Sequence, residues 1–185
     1  MPKLLTVSVG RAAPLLAQAG DGGTRRVASA IRKSPLGGAV AVGVLGLDGD
    51  EQADLTVHGG QDKAVYVYPF EHYAFWETVR GQAGVGGALA HGALGENLTV
   101  SGLLEPQVWV GDRLRVGDVE LVVTQPRSPC YKFNAHFGFA WAAKMMVQSG
   151  YTGFYCAVVR PGKLAAGDQI DVVAGERAVS IEQAH

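Results

Sequence analysis

The sequence predicts a mainly β domain with a few helices, an α+β chain arranged as a β-barrel or sandwich with helical decoration. Three observations carry that prediction. Short apolar runs rich in β-branched and aromatic residues recur along the chain, each bounded by Gly, Asp or Pro. The 26 glycines lie between those runs as punctuation rather than in one linker, which calls for frequent tight turns. Two stretches carry a helical pattern instead.

Taken in order, strands are predicted over Leu4–Val9, Ala39–Leu47, Ala64–Tyr68, Gln107–Val110, Arg113–Val116, Val119–Thr124, Phe154–Arg160 and Gln169–Val173. Gly117-Asp118 supplies a two-residue hairpin turn between two of them. One helix is predicted over Phe70–Arg80, after Pro69. A second spans Ala135–Gln148, with Phe139, Ala142 and Met146 on one face and Gly150 as its C-cap. The Gly- and Ala-rich segment 81–95 reads as a mobile surface loop, and 18–24 as a second flexible segment.

At 185 residues the chain fits a single domain with its own core, and 48% hydrophobic against 18% charged residues excludes a disordered chain. Lys+Arg 16 against Asp+Glu 17 argues against a nucleic acid polymer as partner, while leaving room for a local basic pocket. No apolar run approaches the ~20 residues that cross a bilayer, so a cytoplasmic protein without membrane contact is expected. Two cysteines exclude a disulfide framework and a four-cysteine zinc site, and five scattered histidines argue against a His-based one. Walker A, Gly-x-Gly-x-x-Gly, His-Glu-x-x-His and Gly-x-Ser-x-Gly patterns are absent from the sequence.

Cys130 sits in Gln125-Pro126-Arg127-Ser128-Pro129-Cys130-Tyr131-Lys132, where two prolines stiffen the backbone and Arg127 and Lys132 bring positive charge. Such surroundings favour a thiolate able to act as nucleophile, redox group or soft-metal ligand; the competing reading is a buried structural thiol. Cys156, inside an apolar strand, reads as core. The segment His58-Gly59-Gly60-Gln61-Asp62-Lys63 combines a titratable ring, two glycines and an ammonium, suited to an anion or simply to a solvated turn. Gly95-Glu96-Asn97-Leu98 offers an amide for a heterocycle edge, or a plain turn into a strand. Lys33-Ser34-Pro35 and Gly49-Asp50-Glu51 flank one predicted strand and are placed at one end of the same barrel.

Four segments together resemble a known family: Gly46-Leu47-Asp48-Gly49-Asp50-Glu51-Gln52-Ala53-Asp54, Val57-His58-Gly59-Gly60-Gln61-Asp62-Lys63-Ala64-Val65, Gly95-Glu96-Asn97-Leu98 and Gln125 to Lys132. Their order and spacing, from about Ser29 to about Val173, are similar to those of the MOSC domain family, in its YiiM-like branch. The resemblance implies one MOSC-type β-barrel-like domain over 1–185, without the C-terminal helical extension of longer relatives. It implies a molybdenum cofactor (Mo-molybdopterin) whose protein ligand is Cys130, and two-electron reduction of N-hydroxylated small molecules such as hydroxylamino purines and amidoximes. An external flavin or haem protein then supplies the electrons. It also places Lys33, Ser34 and Lys63 near the cofactor phosphate, Asn97 and the His58-Gly59-Gly60 turn near the pterin, and Arg127 and Ser128 around the ligand loop. Two departures stand out: Glu51 where many relatives carry Arg, and Gln61 in place of a frequent Pro. A carboxylate cannot repeat an Arg contact to phosphate. Two other readings stay open: a cofactor or sulfur carrier without turnover, and a small-ligand barrel in which Cys130 is inert.

Overall fold

Alternation along Val65-Tyr66-Val67-Tyr68 organises the molecule. Successive strand side chains face opposite ways, and all five residues of the strand Val65–Pro69 are buried, so both faces are covered. Val65 and Val67 join an aliphatic core with Leu4, Val100, Leu121 and Phe154. Tyr66 and Tyr68 join an aromatic core with Tyr73, Trp76, Phe133 and Phe137.

The computed structural model describes residues 1–18, 22–53 and 59–185. The first six strands are β1 (Lys3–Val9), β2 (Ala13–Gln18), β3 (Thr24–Ser29), β4 (Ser34–Leu36), β5 (Ala39–Gly43) and β6 (Gly46–Leu47). A 3-10 turn at Gln61–Lys63 leads into β7 (Val65–Pro69), α1 (Tyr73–Gln82) and β8 (Leu98–Ser101). Then come β9 (Arg113–Val116), β10 (Val119–Pro126), α2 (Tyr131–Phe137) and α3 (Ala142–Ser149), followed by β11 (Phe154–Arg160), β12 (Gly162–Ala165), β13 (Ile170–Val173) and the short α4 (Ile181–Ala184).

Eight strands form one sheet in the order β13-β9-β10-β11-β7-β8-β1-β4; β12-β5-β6 and β2-β3 form two smaller ones. The large sheet curls until β1 meets the chain just before β13. There Lys3 bridges Gln169, and the Leu4 amide donates to the Asp168 carbonyl at 2.9 Å. The mainly β expectation holds, but the described strands do not close into one continuous barrel ladder. Val40, Val42 and Leu47 from the three-stranded sheet cap the aliphatic core from the other side.

β7 and β8 run parallel, which requires a crossover; α1 and the segment after it provide one. Trp76 of α1 is fully buried and donates its indole N–H to the Tyr68 hydroxyl at 2.6 Å. The mobile surface loop expected over 81–95 is corrected in two ways: residues 81 and 82 belong to α1, and the rest, though without regular structure, is anchored. Leu94 is fully buried, and the buried Glu96 carboxylate accepts hydrogen bonds from the Tyr73 hydroxyl, the Gly92 and Leu94 amides (2.9 and 3.0 Å) and the Thr99 hydroxyl (2.8 Å).

Several predicted elements change. The run over Ala39–Leu47 breaks at Val44-Leu45, where Gly43 and Gly46 pair across a tight turn. Gln107–Val110 is not a strand: a 3-10 turn over Glu105–Gln107 carries Pro106, and Trp109 makes an isolated bridge to Ser180. The helix over Ala135–Gln148 starts earlier, at Tyr131, and divides at Gly138, whose φ of 89° is left-handed. Gly150 does end the second piece, with φ 71°, and Gly117-Asp118 does turn β9 into β10. Among the described residues no helix is long and apolar enough to cross a membrane.

Candidate functional site

A pocket of about 760 Å³, partly open to solvent, lies where several strands end or begin. Its walls come from the end of β3 and the segment after it (Ser29, Ile31, Lys33), the segment after β6 (Asp50, Glu51, Gln52), Lys63 and Tyr66 around the start of β7, Asn97 before β8, the loop after β10 (Arg127, Ser128, Cys130), Lys132 of α2, and Tyr155 of β11.

Asp50 is the hub of one wall. Its Oδ1 accepts from the Lys33 ammonium and from the Gly10 amide at 2.7 Å, and its Oδ2 accepts from the Asn97 amide group at 2.9 Å. Burial pushes the Lys33 ammonium below the ordinary lysine range; Asp50 opposes that fall and Arg127 adds to it. Asn97 donates its other amide hydrogen to the Ser8 carbonyl at 3.2 Å, while its Oδ1 accepts from the Tyr66 amide at 3.0 Å. Asn97 thus ties β1 to Asp50 with its two donors and holds β7 with its acceptor oxygen. Gly95 turns the chain into this position with φ +87°, and a Cβ there would stand 2.8 Å from Ile31 Cγ1.

Arg127 forms the opposite wall. The residue is 7% exposed; its guanidinium lies 4.7 Å from the Tyr66 ring centroid and 5.0 Å from that of Phe133 and donates to the Leu94 carbonyl. Burial works against its charge, but Tyr66, Tyr155 and Cys130 outweigh that and raise it further above its ordinary value. Cys130 is half-buried on the pocket wall, one residue before α2, and couples electrostatically to both Arg127 and Tyr155. Cys156 is the contrast: fully buried in the aliphatic core, its thiol pushed far up by burial.

Of the residues singled out from the sequence, Lys33, Lys63, Asn97, Arg127, Ser128 and Cys130 all line this pocket. Ser34 does not. It is exposed in β4 opposite Val9, because strand alternation sends it away from the side to which Lys33 points. Gly59 and Gly60 are not among the lining residues; the Gly60 amide donates to Gln52 Oε1 at 3.2 Å, and the 3-10 turn that follows carries Lys63 into place. His58 lies outside the described residues. Glu51 does line the pocket, with its carboxylate accepting from the Ala12 amide at 2.7 Å.

Sequence reasoning gave no role to Asp50, Tyr66 or Tyr155. The two tyrosines look like ordinary strand residues until the β7–β11 register pairs them, with rings 5.0 Å apart. The expected meeting of the Lys33 and Asp50 segments is borne out, but the role of the Asp50 carboxylate as acceptor for Lys33, Gly10 and Asn97 shows only in the fold.

The described pocket therefore offers four cations (Lys33, Lys63, Arg127, Lys132) against two carboxylates already engaged by the chain, and one soft donor, Cys130. It is suited to an anionic ligand approached by a thiol.

The MOSC domain family matches residues 54–171. Protein YiiM of Escherichia coli (strain K12) is 41% identical over 157 residues, spanning 84% of this chain and 69% of that protein. A protein named "Reductase" from Gibberella moniliformis (strain M3125 / FGSC 7600) is 34% identical over 148 residues, 80% of this chain but 26% of that longer protein. The crystal structure of YiiM from Geobacillus stearothermophilus superposes with a TM-score of 0.78 at 31% identity, covering 99% of this chain and 81% of that one. The chain belongs to the MOSC domain family.

Proposed function

We propose that this chain holds a pterin-based molybdenum cofactor in the pocket, with Cys130 as protein ligand to the metal, and reduces N-hydroxylated small molecules such as hydroxylamino purines and amidoximes. The observation that carries the reading is the convergence of one accessible thiol with four cations on one pocket wall system. A phosphate-bearing pterin that brings its own sulfur chelate needs this donor set: cations for the phosphate and a single soft ligand for the metal.

The bound cofactor would supply two electrons to the N–O bond. In the balanced reaction, R–NH–OH, two electrons and two protons give R–NH2 and water. The remaining tasks fall to the chain. Lys63, Lys132 and the Asp50-held Lys33 present charge to the phosphate; Arg127, clamped between Tyr66 and Phe133, fixes the loop that carries Cys130. Asn97 positions Asp50, and through it Lys33. An external flavin or haem protein returns the electrons.

The test is molybdenum analysis of protein made in a cofactor-producing host, with reduction of an N-hydroxylated purine by a reduced viologen dye. Molybdenum near one per chain, with turnover that vanishes in Cys130→Ala, is the expected result. Metal without turnover would replace this reading with a carrier role, and turnover retained in Cys130→Ala would remove the ligand assignment.

A further inference from the structure

Glu51 lines the pocket but carries the wrong charge for a phosphate. Its place is fixed by the connection between β1 and β2. The Gly10 amide donates to Asp50 Oδ1 at 2.7 Å, the Glu51 amide donates to the Gly10 carbonyl at 2.9 Å, and the Ala12 amide donates to Glu51 Oε2 at 2.7 Å. Gly10 itself packs so closely on the chain before β4 that a Cβ there would clash with the Arg32 carbonyl oxygen. Glu51 is thus tied down through both its backbone and its side chain.

Charge is unevenly spread around the pocket. Asp50 and Glu51, the two carboxylates among the lining residues, are neighbours after β6, whereas Arg127 and Lys132 come from the loop after β10 and from α2. Asp50 is paired with Lys33; Glu51 meets a backbone amide instead. A carboxylate accepts about four hydrogen bonds, so the Ala12 amide leaves most of that capacity to a ligand. Glu51 is also exposed, within reach of a molecule entering from solvent.

A ligand matched to this polarity is anionic at one end and presents hydrogen-bond donors at the other. The pyrimidinone ring of a pterin presents two adjacent donors, its N3–H and its 2-amino group, side by side as a carboxylate accepts them. We infer that Glu51 reads that donor edge, its carboxylate accepting from N3–H and from the 2-amino group, and so selects a 2-amino-4-oxopteridine over the 2,4-dioxo ring. The inference rests on the pterin reading of the pocket and adds to it a residue that recognises the ring rather than the phosphate or the metal.

The test compares pterin with lumazine, in which a carbonyl replaces the 2-amino group, on cofactor-free wild type, Glu51→Gln and Glu51→Ala. Ligand-observed NMR titrations are run at mildly acidic pH, where both rings are neutral, and inorganic phosphate is titrated alongside. Circular dichroism confirms that each variant is folded. Wild type is expected to bind pterin about tenfold tighter than lumazine, which loses a charge-assisted hydrogen bond and sets a carbonyl against the carboxylate. Both variants are expected to lose that preference through weaker pterin binding, while phosphate binding holds or tightens as a negative charge leaves the pocket. A merely loosened pocket would weaken phosphate as well. No pterin binding by wild type, equal affinity for the two rings, variants that keep the preference, or variants that lose pterin and phosphate together all overturn the inference. Failure of the molybdenum reading shows itself separately, as protein from a cofactor-producing host that holds no molybdenum, and leaves the two rings to decide the role of Glu51.

Discussion

The Lys33 ammonium and the Asp50 carboxylate form an ion pair in which the two side chains are only 8% and 7% exposed, and the same carboxylate also receives Gly10 and Asn97. Removing the acceptor strands three donors at once. Asp50→Ala is expected to cost about 3–5 kcal/mol in urea unfolding, because a desolvated ammonium loses its counter-charge. Lys33→Met combined with Asp50→Ala should cost less than Asp50→Ala alone, since the buried charge has gone. A double variant at least as unstable as the single one would show that the ammonium is not the source of the cost.

The same pair sets a pH dependence. Burial lowers the Lys33 value in the folded state, against the pull of Asp50 and with the push of Arg127; Glu96 adds a weaker opposing pull. Between that lowered value and the ordinary lysine value near ~10.4, the unfolded chain binds more protons than the folded one. This group's contribution to stability therefore rises with pH through that window, and its penalty is fully present below it. Affinity of the pocket for inorganic phosphate runs the other way, falling across the window as a cation is lost. Denaturation and phosphate titrations from neutral to alkaline pH, on wild type and Lys33→Met, should show both slopes in the first protein and neither in the second.

The two cysteines are expected to separate under alkylation. Cys130 is half-buried on an open wall beside Arg127, whereas Cys156 is fully enclosed with its thiol pushed up by burial. Iodoacetamide on the folded, cofactor-free protein should add one label, mapped by mass spectrometry to Cys130, with a second appearing only in denaturant. Cys156→Ala is expected to cost about 1–2 kcal/mol by leaving a small cavity, without altering the first label. A native label at Cys156 would contradict the burial that defines the aliphatic core.

How much of this was readable beforehand follows from which forces are local. β1, β9, β10 and β11 declare themselves through apolar alternation and turn residues close in sequence. β2 and β3 do not: Ala13-Pro14-Leu15-Leu16-Ala17-Gln18 and Thr24-Arg25-Arg26-Val27-Ala28-Ser29 are largely exposed, and pairing with each other is what makes them strands. Segment 81–95 looked loose because its anchor is a carboxylate, Glu96, whose donors Tyr73 and Thr99 come from other elements. The pocket shows the same division. Cys130, Arg127 and Lys63 are legible from their neighbours in the chain, but Asp50 gains its place from Lys33 and Gly10, and Tyr155 from a register with Tyr66. Ser34 was misplaced because adjacent positions in an extended chain face opposite ways, and sequence order alone does not say which one faces in.

Arg127 offers the strictest test of the pocket's construction. Its planar guanidinium fits between Tyr66 and Phe133 and reaches the Leu94 carbonyl, so it joins the loop after β10 to the aromatic core and to the anchored segment before β8. A lysine keeps the charge but cannot stack on two rings, and its ammonium is more costly to desolvate. Arg127→Lys is therefore expected to lose about 2 kcal/mol or more of stability, from cation–π contacts in a buried setting. It should also loosen the loop carrying Cys130, so that alkylation of Cys130 departs from the rate and single-phase course of the wild-type thiol. Urea unfolding and labelling kinetics on the same samples check both effects. A lysine variant as stable as wild type, labelled at the same rate, would mean that position 127 supplies charge alone.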